Sequence, residues 1–141
     1  MWSATAISPG GAALELRVGT RPLGSAALGN QVSPVEYLLI SIASCLALSC
    51  RVVLLRRRIE LMRYQVHVVG EKAPEPPSRL SRMSATINLP AWITEAVARA
   101  IAHDAEALCT VSNTILGACP IAVSAHLMPV DPAPGDAIEG A

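Results

Sequence analysis

The sequence predicts an α+β domain. Three observations carry this prediction. A long apolar helix begins at a capped start at Ser33. Two segments, Tyr64–Val69 and Leu80–Leu89, alternate apolar and polar residues as strands do. A second amphipathic helix follows, and then a last alternating segment, Ile121–Leu127. The order is strands, helix, strands, helices, strand. No internal repeat is present. Residues 1–128 are expected to form a single domain, with 129–141, rich in proline and glycine, as a mobile tail.

Each element has a local reason. In residues 1–32, Gly10-Gly11, Gly19, Pro22, Gly24 and Gly29 break the chain into short strands and turns. Ala12–Val18 ends in alternation and reads as a half-exposed strand. Ser33 is a good N-cap, Pro34 suits the first helical position, and Glu36 completes an S-x-x-E capping box. The helix is apolar nearly all round to Leu55, so it is expected to be buried on most faces. Arg56-Arg57-Arg58 oppose its dipole at the C-terminal end.

Gly70 is expected to end the strand from Tyr64, and Pro74, Pro76 and Pro77 mark an exposed turn. The return strand puts Met83, Ala85 and Ile87 on one face and Arg82, Ser84, Thr86 and Asn88 on the other. Pro90 is expected to open the second helix, with a stripe of Ile93, Val97, Ala100, Ile101, Ala105 and Leu108. A short helix, Val111–Leu116, is expected to end at Gly117.

Composition narrows the function classes. The chain has 141 residues, 52% hydrophobic, with 11 basic and 11 acidic side chains. Zero net charge argues against nucleic acid as a partner. So does the shortage of aromatic rings, which are Trp2, Tyr37, Tyr64 and Trp92. The zero net charge also favours burial of surface in an oligomer. The uncharged run Tyr37–Cys50 is shorter than the roughly 20 residues a membrane span needs, so a core helix is expected and no membrane partner. The N-terminus has neither a basic start nor an apolar run, and a cytoplasmic, soluble protein is expected. His67, His103 and His126 show no metal-ligand spacing, and no glycine-rich phosphate loop or serine elbow is present. No metal and no cofactor are expected.

The chemistry rests on four cysteines. Cys45 lies inside the long helix, where desolvation opposes a thiolate unless a cation or donor is near. Cys50 sits about 140° further round the helix, so the two cannot be bridged within it. Cys50 reads as a core residue, and Cys119, before Pro120, as structural. Cys109 falls between two helices, near the free amides of the second, a place that favours a thiolate.

Two segments together resemble a known family. Ser33-Pro34-Val35-Glu36-Tyr37-Leu38-Leu39, followed by Ala43-Ser44-Cys45, is similar to the central-helix signature of the OsmC/Ohr thiol peroxidases. Cys109-Thr110-Val111-Ser112-Asn113 resembles that family's second motif, usually Cys-Pro-x-Ser and a polar or basic residue. The resemblance covers roughly residues 11–128.

It implies an OsmC-like fold, a long central helix on curved antiparallel sheets in an intertwined homodimer. It implies reduction of an organic hydroperoxide, with Cys45 attacking the peroxide and Cys109 resolving the sulfenic acid to a disulfide, and a dithiol as reductant. An arginine before the helix would activate Cys45. Arg17 and Arg21 are the candidates, and Arg21 is nearer the helix start. The family's peroxidases carry a glutamate directly after the helix-opening proline; here that position is Val35, and Glu36 follows it as a further site candidate. Thr110 replaces the usual proline. The alternative on the same fold is a non-catalytic dimer, structural or binding a small apolar ligand.

Overall fold

Ser33 starts the long helix as its sequence predicts. In this computed structural model, which describes residues 1–10, 14–22, 32–60 and 62–129 without the side chains of Arg21 and Pro22, helix α1 spans Pro34–Arg56. The Ser33 hydroxyl accepts the Glu36 amide at 3.2 Å, and Glu36 Oε1 accepts the Ser33 amide at 2.9 Å. Two otherwise orphaned N–H groups are satisfied reciprocally.

The other end closes without glycine. Arg58 takes φ 56°. The Ile59 amide donates to the Leu54 carbonyl at 3.0 Å and the Arg58 amide to Leu55 at 3.1 Å. This is a Schellman closure with arginine where glycine is usual.

Among the described residues six strands form one sheet, in the order β3-β2-β1-β4-β5-β6. They are β1 (Trp2–Ser8), β2 (Glu15–Val18), β3 (Arg21–Pro22), β4 (Tyr64–Lys72), β5 (Leu80–Leu89) and β6 (Ile121–Leu127). The α+β class is as predicted. The sheet, however, is mixed: β6 lies parallel to β5, whereas every other pair is antiparallel. The connection explains it, since α2 (Glu95–Leu108) and α3 (Thr110–Ile115) carry the chain back across the sheet before β6 begins.

One sheet face seats α1. The cross-strand rows Val18–Ala4–Val68–Ala85 and Ala6–Val66–Ile87 supply it. Leu39, Ile42, Leu46 and Leu54 of α1 are fully enclosed, each worth roughly 1.5–3 kcal/mol relative to exposure. Gly70 does not end its strand. It lies within β4, where a Cβ would meet Leu39 and Leu80 methyls at 3.3 Å. Its lack of a side chain lets the helix approach. Tyr64 adds a polar tie, its hydroxyl donating to the Ala47 carbonyl at 2.7 Å.

The expectation that α1 is buried on most faces needs correction. Leu38, Ser41, Cys45, Leu48, Val52 and Leu55, spaced alternately by three and four, share one face. Leu48 remains 49% exposed and Leu55 54%. The sheet can cover only one side of a helix, and among the described residues Leu38, Leu48, Val52 and Leu55 are left exposed. The length argument is corrected too. Glu36 and Arg51 do not bound the helix, so α1 is long and apolar enough to span a membrane. Its seating on the sheet makes it the core helix of this fold.

Two further boundaries differ from expectation. α2 starts at Glu95 under a Thr94 cap, five residues after Pro90. Its buried side is Ala98, Ile101, Ala102 and Ala105, rotated from the predicted stripe, and Leu108 is exposed. The proposed tail lies outside the described residues from residue 130 on.

Relief of the left-handed strain at Arg58 gives a test. Arg58→Gly should raise unfolding stability by about 1 kcal/mol, read as a higher urea midpoint at unchanged slope. An unchanged or lower midpoint contradicts the closure described.

Candidate functional site

The fold brings Cys45 and Cys109 together. Cys45 lies mid-way along α1, partly exposed in the uncovered stripe. Cys109 is the single residue between α2 and α3, capping the end of one and the start of the other, and is fully buried. Both thiols are free, and Cys45 is near enough to act electrostatically on the Cys109 thiol.

Local bonding fixes this junction. The Asn113 amide donates to the Cys109 carbonyl at 3.0 Å, and Asn113 Nδ2 to the Ala107 carbonyl at 3.1 Å. The second bond satisfies a carbonyl that the end of α2 leaves open. Along α1, Ser49 Oγ donates to the Cys45 carbonyl at 2.9 Å and Ser44 Oγ to Ile40 at 2.8 Å. Hydroxyls inside this apolar helix are thus satisfied locally.

The expectation that its position favours a Cys109 thiolate is not met. Burial pushes the Cys109 thiol above its ordinary pKa. The Ser112 hydroxyl and amide pull it down, and the neighbouring Cys45 raises it again. Sequence placed Cys109 at a helix start, but not inside the core, where desolvation outweighs the donors. Cys50 behaves as a core residue. It is fully enclosed, and burial pushes its thiol up to about 12. Cys119 is buried as well, its sulfur 3.6 Å from the Leu80 carbonyl.

The two arginines part company. Arg17 pairs with Thr5, whose hydroxyl meets His67 Nδ1 at 2.8 Å. These three belong to the sheet row adjacent to Val18's, whose side chains alternate away from α1. Arg17 is therefore on the opposite side of the sheet from the thiols. Arg21 pairs with Val18, in the row that faces α1; its side chain lies outside the described residues. Glu36 sits in the first turn of α1 and makes the capping box. Ser112 had been legible only as part of a motif; its position three residues after Cys109 is the signal that would have singled it out.

A concavity of about 380 Å³ between α2 and β6, lined by Glu95, Ala98, Arg99, Ala125, His126 and Leu127, holds neither cysteine. It brings together no nucleophile with a base, so the thiol pair is the better candidate site.

Fold and site define a small α+β protein with two adjacent free thiols, one on the core helix and one at a helix junction. The family described as OsmC-like protein matches residues 27–124, and the chain belongs to the OsmC family. No match is found among curated protein sequences. Solved structures share the fold. An organic hydroperoxide resistance protein from Elizabethkingia anophelis is 15% identical, with TM-score 0.63 over 91% of this chain and 96% of that one. The organic hydroperoxide resistance protein OhrB of Bacillus subtilis is 16% identical, with TM-score 0.57 over 91% and 98%. An OsmC-like protein from Mycoplasma pneumoniae is 15% identical, with TM-score 0.61 over 84% and 89%.

The thiol environments predict selective alkylation. With a pKa near 12, Cys50 holds a thiolate fraction of about 10⁻⁴ at pH 8. Iodoacetamide on the native protein should therefore label Cys45 well before Cys50, with Cys50 reacting only after denaturation. Equal native labelling of the two contradicts this site.

Proposed function

We propose that the protein is a cytoplasmic homodimer that reduces organic hydroperoxides with two cysteines and a dithiol reductant. The observation that carries this reading is the adjacency of the free Cys45 and Cys109 thiols. Membership of the OsmC family supports the redox theme.

In the proposed reaction the Cys45 thiolate attacks the outer oxygen of the hydroperoxide. The O–O bond breaks, the alkoxide leaves and takes a proton as alcohol, and Cys45 becomes a sulfenic acid. The Cys109 sulfur then attacks the Cys45 sulfur. The S–S bond forms, the S–O bond breaks, and the hydroxyl leaves with the Cys109 proton as water. A dithiol restores both thiols by exchange.

Positive charge beside Cys45 would favour its thiolate. The register of Arg21, opposite Val18, supports Arg21 over Arg17 for this role, with Glu36 as its proposed orienting partner. The apolar stripe of Leu48, Val52 and Leu55 beside Cys45 suits a second copy of the chain, whose same stripe would cover it. The same apolar surroundings favour an alkyl over a hydrogen peroxide substrate.

Turnover decides the matter. With a dithiol present, the wild type should consume cumene hydroperoxide catalytically, Cys45→Ser should abolish consumption, and Cys109→Ser should spend one equivalent and stall. A wild type no faster than Cys45→Ser with any dithiol would overturn the reading in favour of a ligand-binding or structural dimer.

A further inference from the structure

The two edges of the sheet are built differently. One is β3, Arg21–Pro22, only two residues long. A short strand, a charge and a proline all deter a neighbouring strand. The other edge is β6, the last strand in the sheet order. It runs seven residues, Ile121–Leu127, with no acidic or basic side chain, no proline and no glycine. None of the usual guards of an open edge is present in it.

The hydrogen-bond ladder shows which of its groups face outward. The Met83 amide donates to the Pro120 carbonyl at 2.9 Å, and the Met128 amide to the Leu89 carbonyl at 2.9 Å. In a parallel pair, alternate residues of a strand turn toward the neighbour. Ala122, Ser124 and His126 therefore bond to β5, and Ile121, Val123, Ala125 and Leu127 turn their N–H and C=O groups to the open side. Among the described residues no strand lies beyond them. A row of main-chain donors and acceptors is matched by another extended backbone.

The side chains select a second copy of the same strand. Ala122, Ser124 and His126 are exposed on one face, whereas Ile121, Val123, Ala125 and Leu127 share the face of Ala85 and Ile87. Two such strands laid antiparallel, with Ser124 opposite its own counterpart, pair along their whole length. Ile121 then meets Leu127, Val123 meets Ala125, and Ala122 meets His126. Apolar residues face apolar ones, and no carboxylate, lysine or arginine lies in the seam. In the same register Ile121 and Val123 of the second copy enter the concavity between α2 and β6. Ala98, Ala125 and Leu127 give it an apolar floor, and Glu95, Arg99 and His126 a polar rim, the make-up of a protein interface. Zero net charge means that copies do not repel at long range.

We propose that β6 is a pairing edge for a second copy of this chain, joined antiparallel about a two-fold axis at Ser124, so that one sheet runs through both chains. This contact is separate from the apolar stripe of α1, and it does not depend on the peroxidase reading.

Residue-resolved amide exchange over a dilution series of the full chain tests it. The Val123, Ala125 and Leu127 amides should exchange slowly at high concentration and fast on dilution, while those of Ser124 and His126, bonded to β5, stay slow throughout. Ser124 is exposed, so a charge there leaves the fold of the single chain intact. Ser124→Lys and Ser124→Glu should each raise the midpoint concentration about fivefold, the effect of like charges directly opposite across a strand pair. An equimolar mixture of the two should return it to the wild-type value or below. Outward amides that exchange fast at every concentration would overturn the proposal. So would protection that dilution does not remove, a midpoint that neither substitution moves, or a mixture that does not recover.

Discussion

The seating of α1 on the sheet is the constraint on which the rest of the structure depends. Ala4, Ala6, Gly70 and Ala85 make the receiving face shallow. Large side chains of the helix, Leu39, Ile42, Leu46 and Leu54, fill the space this leaves. Small residues on one partner and large ones on the other fix the rotation of the helix about its axis. Tyr64 fixes its height through the bond to the Ala47 carbonyl. With rotation and height set, Cys45 has one place to be, on the flank that the sheet leaves open.

The second thiol is delivered by a different device. A chain that must lay β6 parallel to β5 has to recross the sheet, and it does so in two helices joined by one residue. That residue is Cys109. Its extended backbone, φ −78° and ψ 98°, breaks the helical run, and Asn113 ties the two helices together across it. The crossover that makes the sheet mixed is thus also what carries a thiol to the side of α1. Burial then works against ionisation at Cys109, and Ser112 works for it. In the proposed mechanism, a resolving thiol kept neutral until it is needed suits a site in which a second negative charge beside a Cys45 thiolate would repel the first.

Much of this was legible in the residues. The S-x-x-E box placed the start of α1, and period-2 alternation placed Leu80–Leu89 and Ile121–Leu127 at their observed bounds. Pattern failed where tertiary contact decides. Gly70 reads as a stop by composition, yet Leu39 is what requires it. Arg58 closes α1 in a conformation that favours glycine, so no local signal marked it. Pro90 outranked Thr94 as a helix opener because proline is the louder signal, though Thr94 supplies the oxygen that accepts the Val97 amide. The candidate site was legible as two motifs. Their adjacency, the burial that raises the Cys109 thiol, and the parting of Arg17 from Arg21 are properties of register and packing, which one-dimensional patterns do not carry.

In the proposed function these two thiols form one redox unit. The most direct measurement is peptide mapping by mass spectrometry after one equivalent of an alkyl hydroperoxide, without reductant. The expected result is a loss of two hydrogens from a single chain, located in a Cys45–Cys109 disulfide, with Cys50 and Cys119 still free. Unreacted Cys45 and Cys109, or a disulfide that pairs either of them with Cys50, with Cys119 or with another chain, would contradict it.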